Sequence, residues 1–180
     1  MPEIPGFTVE KQAGKVFCWA AACRSVLLHY NPTLGNSPNY TQQALVAQYG
    51  SGTGNQTGKP HKLLMALGLF KGMELFNGDP SLQIHASRLG WKILEAINRG
   101  EPVIVSFSPL MGGTGHSMVI FGYDTVNGSC IMADPARPQH NVTASLSAML
   151  VSFEPYPGLV NISFHIERLT FTARPTRMFW

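Results

Sequence analysis

The pattern of hydrophobic and polar positions changes its character near Gly100. Before it, residues 18–30 are apolar nearly all round and rich in good helix formers, which predicts a buried central helix. Asn31-Pro32 ends this helix, because the residue before a proline is disfavoured in the α region. Shorter helices are predicted over residues 41–49, 61–69 and 87–98.

After Gly100 the chain has short runs rich in Val, Ile and Phe, bounded by Gly, Pro, Asn and Asp. Helices followed by strands predict an α+β domain with an antiparallel sheet. We expect one domain over 1–180, with a helical lobe over about 1–100 and a β lobe over about 101–180. Residues 1–17 should form an ordered arm or an extended lead-in to the first helix, and residues 50–60 a polar glycine-rich loop. The predicted strands are 102–108, 116–123, 129–133, 148–153 and 160–171.

Composition removes several classes of function. The chain has 180 residues, 44% of them hydrophobic and 13% charged, against about 25% charged in typical soluble domains. A scattered net charge of +3 predicts neither a nucleic-acid partner nor a membrane partner. No signal peptide opens the chain, so we expect it to act in the cytoplasm of the producing cell, or of a target cell after delivery by a secretion system.

The three cysteines are an odd number, which argues against a disulfide framework. Cys18 and Cys23 have no companion ligands at zinc spacing, so we expect no metal, no other cofactor and a reducing compartment. Cys23 and Cys130 are interpreted as core residues, since free cysteine is among the most buried residue types.

Cys18 has a different setting, because it lies where the irregular arm becomes the first helix. Helix N-termini stabilise a thiolate, the nucleophilic form of cysteine. Gln12 lies six residues upstream, where its amide and the Cys18 backbone N–H could bind a developing oxyanion. Trp19 would supply apolar shielding.

His116 is the best partner among six histidines, since it follows a glycine-rich stretch and opens a predicted strand. Asp134 ends the next predicted strand, beyond a turn at Asn127-Gly128. In a hairpin the start of one strand faces the end of the next, so Asp134 should lie beside His116 and orient its ring. Asp124 is a weaker rival, because it ends the strand that His116 begins.

These motifs together resemble the papain-like cysteine peptidases over residues 12–134. The short chain, and an Asp where papain has Asn, are closer to compact bacterial relatives: staphopain-type, type III effector and bacteriocin-leader peptidases and papain-like toxin domains. The motifs that carry the resemblance are Gln12 six residues before Cys18-Trp19, Gly115-His116 in the segment 115–123, and Ala133-Asp134-Pro135.

The resemblance implies a two-lobe fold with the cleft between the lobes and an acyl-enzyme mechanism on a protein substrate. In that mechanism Cys18 is the nucleophile, His116 the base, Asp134 the orienting residue and Gln12 an oxyanion donor. Further cleft candidates are Trp19, Gly113 and Gly115.

Other functions fit the same residues. Glutamine deamidases and transglutaminases also use Cys, His and Asp in this order, peptidoglycan amidases use Cys and His, and a peptidase-like binding module would carry an inactive site. Only 17 residues precede Cys18, fewer than an inhibitory pro-domain usually has. This favours a toxin or effector domain that an immunity or inhibitor protein covers.

Overall fold

The computed structural model describes residues 1–51, 57–58, 60–68, 72–77, 83–109, 115–146 and 159–166. Within these ranges the chain combines α-helices with an antiparallel sheet. The helices are α1 (Cys18–Tyr30), α2 (Pro32–Gly35), a 3-10 turn (Pro38–Tyr40), α3 (Gln42–Tyr49), α4 (Pro60–Ala66) and α5 (Gln83–Asn98).

The described strands form a two-stranded ribbon, β1–β2, and a six-stranded sheet in the order β3-β8-β4-β5-β6-β7. Every pair in the sheet is antiparallel. The strands are β1 (Gly50–Ser51), β2 (Thr57–Gly58), β3 (Gly72–Asn77), β4 (Val103–Pro109), β5 (His116–Asp124), β6 (Ser129–Ala133), β7 (Asn141–Ser145) and β8 (Leu159–Ile166).

Helices α1 and α5 pack against strands β4 and β5, and the hydrophobic core lies between them. Helix α1 is buried along most of its length because its apolar residues cover almost its whole circumference. The largest fully buried side chains of the core include Phe107, Leu27, Leu89, Ile93, Ile104 and Met118.

The N-terminal arm is held against the sheet. Glu3 forms a β-bridge with Gly122, and Ile4 N donates to Phe121 O at 2.8 Å. Further along, Phe7 and Val9 are buried in the core. The expectation of an ordered arm is confirmed, and its consequence is that the residues just before Cys18 have a fixed path.

The predicted α1 and β6 agree with the structure residue for residue, and the other predicted elements that the structure describes differ at their ends. Four described strands were not predicted, β1, β2, β3 and β7, and neither were α2 and the 3-10 turn. Because β3 lies before α5 and still joins the large sheet, the order of helices first and strands later is wrong in detail. The predicted loop at 50–60 contains the paired β1 and β2, while the strand predicted at 148–153 lies outside the described residues.

Within the described ranges, no helix has both the length and the apolar character that crossing a bilayer requires.

Candidate active site

Cys18 is the first residue of α1. The helix begins after Phe17, whose side chain makes no capping hydrogen bond. The first N–H groups of the helix, which carry its partial positive charge, are therefore not capped by that side chain and lie beside Cys18. Only 5% of Cys18 is exposed, and its Sγ atom lies 3.9 Å from the carbonyl oxygen of Gly115. The fold therefore brings the helix start against the residue before His116.

His116 begins β5, and Asp134 follows the last residue of β6. The antiparallel register pairs Val119 with Ala133, which brings the two side chains to the same end of the hairpin. His116 Nε2 and Asp134 Oδ1 are 2.7 Å apart. This bond occupies Nε2 and leaves Nδ1 as the ring nitrogen that can serve Cys18.

The Asp134 carboxylate is fully buried and fixed by its own neighbours. Its Oδ1 also accepts a hydrogen bond from Ala136 N at 2.8 Å. The Nε atom of Arg137, an otherwise exposed side chain, lies 3.7 Å from Oδ2. These contacts hold the carboxylate in one orientation toward the imidazole.

The environment of His116 favours the charged ring. Burial by itself lowers the pKa of His116, but hydrogen bonds with Asp134 and Cys18 and the attraction of both charges outweigh it. The pKa rises from its usual 6.5 to about 9. At neutral pH the ring therefore carries two protons, one on each nitrogen.

Gln12 lies on the N-terminal arm, next to the segment that carries Asp134. Its backbone N donates to Pro135 O at 2.9 Å. Its side-chain Nε2 donates to Gly14 O at 2.9 Å and to Lys15 O at 3.3 Å. Both amide hydrogens are thus engaged by the loop before α1, which the sequence could not indicate. The Oε1 atom is buried and has no hydrogen-bond partner among the described residues.

The remaining cleft candidates have different positions. Trp19 is 3% exposed and part of the core, so it is not available to line an open cleft; apolar helix packing has buried it. Gly115 contacts Cys18 through its carbonyl, and Gly113 lies outside the described residues. The rival Asp124 is half-buried at the opposite end of β5 from His116, and its carboxylate accepts from Val126 N and Asn127 Nδ2, so it stabilises the turn.

All three cysteines are free thiols. Cys23 and Cys130 are fully buried, as expected for core residues, and burial raises the pKa of the Cys130 thiol to about 12. In the part of the chain that the structure describes, no group of three or more His, Cys, Asp or Glu residues is arranged to hold a metal ion.

One side chain near the site, that of Gln42, was not predicted from the sequence. Gln42, the first residue of α3, is only 7% exposed and bonds to the arm on both sides of Gln12. The helical pattern located α3, but its contact with the arm depends on tertiary packing and leaves no local signal.

A cysteine at a helix start, beside a histidine that is bonded to a buried carboxylate, has the composition of a cysteine peptidase site. The family model described as Peptidase_C39 like family matches residues 4–156. The chain therefore belongs to this family and is a cysteine peptidase.

Two peptidases are among the solved structures that resemble the chain. A protein described as a C39-like peptidase from Bacillus anthracis superposes with a TM-score of 0.55 at 12% identity, covering 93% of this chain and 98% of its own. The peptidase domain of Streptococcus ComA, a bifunctional ABC transporter involved in quorum sensing, gives 0.49 at 17% identity, covering 90% and 99%. The first agrees with an α+β peptidase fold. A search of curated proteins found no match.

Proposed function

We propose that this peptidase cleaves a protein substrate through a covalent acyl-enzyme on Cys18, with His116 transferring protons and Asp134 orienting His116. The observation that supports this most strongly is the interaction of one imidazole with both Cys18 and the buried Asp134. The same interaction raises the pKa of His116, so the ring can supply a proton at neutral pH.

In the first half of the reaction, the Cys18 thiolate attacks the scissile carbonyl carbon. A C–S bond forms, and the carbonyl electron pair moves to oxygen. The oxygen electron pair then re-forms the C=O bond as the C–N bond breaks, and the His116 imidazolium gives its proton to the amide nitrogen. A neutral amine leaves and the acyl group stays on sulfur as a thioester.

In the second half, water attacks the thioester. Neutral His116 accepts a proton from the water, the C–S bond breaks, and the product acid leaves. The Cys18 thiolate and the His116 imidazolium are restored together. Throughout, Asp134 Oδ1 accepts a hydrogen bond from Nε2 and keeps the opposite ring nitrogen directed at the reacting atoms.

The oxyanion that forms in each half needs hydrogen-bond donors, which we assign to the Cys18 backbone N–H and the Gln12 amide. The first N–H groups of a helix have no partner within the helix. Gln12 would release one amide hydrogen from the loop, and the 3.3 Å bond to Lys15 O is the longer of its two bonds. An oxyanion is a stronger acceptor than a neutral carbonyl, so the exchange is favourable.

The substrate is expected to present an extended backbone with small side chains at the scissile junction. Cys18 is 5% exposed, so a bulky group cannot easily approach its sulfur. Gly115 adds no side chain beside the thiol. Since backbone recognition does not need a charged surface, the low charge of the chain is compatible with this binding.

The experiment is a search for new protein N-termini in an extract treated with the intact enzyme or with Cys18→Ala. A peptidase generates termini that the Cys18→Ala sample lacks. If no new termini appear while glutamines in the extract become deamidated or cross-linked, the acyl group comes from a glutamine side chain instead.

We also propose, as its biological setting, a toxin or effector acting in the cytoplasm of a cell, with an immunity or inhibitor protein over the cleft. The support for this is the resemblance to compact bacterial peptidases. A small protein that co-purifies with the chain and blocks alkylation of Cys18 would be the expected partner, and an unprotected thiol in every complex would contradict it.

A further inference from the structure

The backbone on both sides of Gln12 is held by one buried side chain. Gln42 Nε2 donates to Lys11 O at 2.9 Å, and Gln42 Oε1 accepts from Ala13 N at 2.8 Å. A carbonyl and an N–H flanking one residue are the groups that a neighbouring β-strand would engage. Here a single side-chain amide replaces the strand, so the position of the Gln12 Cα atom is fixed relative to α3.

The opposite side of Gln12 is held by the turn that follows β6. Gln12 N donates to Pro135 O at 2.9 Å, and Pro135 directly follows Asp134. Gln12 is therefore tied both to the helical side, through Gln42, and to the segment that carries Asp134. Its position couples the arm to both halves of the candidate site.

Gln42 is itself firmly placed. Thr41 caps α3, with its hydroxyl accepting from Ala44 N at 3.2 Å. The second amide hydrogen of Gln42 goes to Glu10 Oε2 at 3.3 Å, and the same Glu10 carboxylate pairs with Arg24. With its oxygen and both hydrogens engaged, the buried Gln42 amide has a single favourable orientation.

We propose that Gln42 is a positioning residue for the peptidase reaction and that it acts through Gln12. This inference rests on the proposed function, in which the Gln12 amide donates to the oxyanion. An apolar residue at position 42 would fill the core without desolvating an amide, so the amide's contribution is the alignment of the arm. Displacement of a catalytic group by about 1 Å can lower a rate on the order of 10²-fold.

The test is a double-mutant cycle on the full chain with Gln42→Ala, Gln12→Ala and the double variant, measuring kcat, KM and thermal stability. Removing one oxyanion donor lowers kcat about 10²–10³-fold, and this sets the upper limit for Gln42→Ala. We expect Gln42→Ala to lower kcat roughly tenfold with little change in KM, because the oxyanion exists only in the transition state. In the Gln12→Ala background the same change should lower kcat less than about twofold.

Val46→Ala is the matched control, since Val46 is buried on the same helix and packs in the core. It should lower stability without lowering kcat. Gln42→Met keeps the length of the side chain and loses the hydrogen bonds to Lys11 O and Ala13 N, so it should lower kcat about as much as Gln42→Ala. It replaces Gln42→Ala in the cycle if the alanine variant does not fold.

An equal loss of kcat from Gln42→Ala in both backgrounds would overturn the inference, and so would a Gln12→Ala variant with unchanged kcat. Measuring Cys18→Ala in the same assay distinguishes a failure of the Gln42 proposal from a failure of the proposed function. If Cys18→Ala is inactive, an equal loss in both backgrounds removes the role of Gln42, and an unchanged Gln12→Ala also removes the oxyanion role of Gln12. An active Cys18→Ala removes the proposed function itself.

Discussion

His116 Nε2 lies 2.7 Å from Asp134 Oδ1, although the two residues are 18 positions apart in the chain. The hairpin of β5 and β6 brings them together, because antiparallel pairing places the start of one strand beside the end of the next. A second bond, from Ala136 N to the same oxygen, fixes the carboxylate independently of His116. The orientation of the imidazole is thus set by the β5–β6 hairpin and the turn that follows it.

Replacing Asp134 should separate orientation from charge. In Asp134→Asn an amide oxygen can still accept from His116 Nε2, so we expect kcat/KM to fall about tenfold or less. In Asp134→Ala no acceptor remains, and we expect a loss on the order of 10²-fold, within the range of positioned proton transfer. Steady-state kinetics on one peptide substrate measure both, and a silent Asp134→Ala would show that another group orients His116.

The pH profile should report the raised pKa of His116. Because the imidazolium must donate a proton to the leaving amine, kcat/KM should fall as pH rises through about 9. In Asp134→Asn the negative charge that favours the imidazolium is gone, so the alkaline limb should move to lower pH. A wild-type limb near the ordinary value of 6.5, or no shift in Asp134→Asn, would contradict this assignment.

Gly100 ends α5 with a φ of +74°, and a Cβ atom built there would contact nothing within 4 Å. Its substitution therefore tests backbone conformation alone. Gly100→Ala should lower the free energy of unfolding by about 1–2 kcal/mol, and Gly100→Asn by less, since Asn tolerates the left-handed region. Urea denaturation measures both variants, and the reverse order of stability would be the contradicting outcome.

Local signals explain which parts of the fold the sequence predicted. The apolar circumference of residues 18–30 and the Asn31-Pro32 stop define α1, and the turn at Gly128, with φ of +60°, defines the β5–β6 hairpin. Strand β7 was missed because its residues are exposed or half-buried, as at a sheet edge, so it has little hydrophobic alternation. Strand β3 pairs with the distant β8, which no local pattern encodes.

The residues of the candidate site also differ in how far the sequence could predict their positions. The contact between His116 and Asp134 could be predicted because the hairpin that makes it is locally encoded. The approach of Cys18 to this pair joins α1 to β5 across 97 positions, and it was expected from the resemblance of the motifs. The orientation of the Gln12 amide and the contact between Gln42 and the arm could not be predicted, since both depend on how α3 packs beside residues 10–13. Trp19 lies in the core, and the sequence does not show how closely α1 is covered.

The most direct test of whether Cys18 is the nucleophile is the rate at which iodoacetamide alkylates each thiol near neutral pH. Peptide mapping identifies which cysteine has reacted. We expect Cys18 to react fastest, because it interacts with the charged His116. Cys23 and Cys130 are fully buried and should react far more slowly. If Cys18 is labelled no faster than these two in the folded protein, it is not the nucleophile and the account fails.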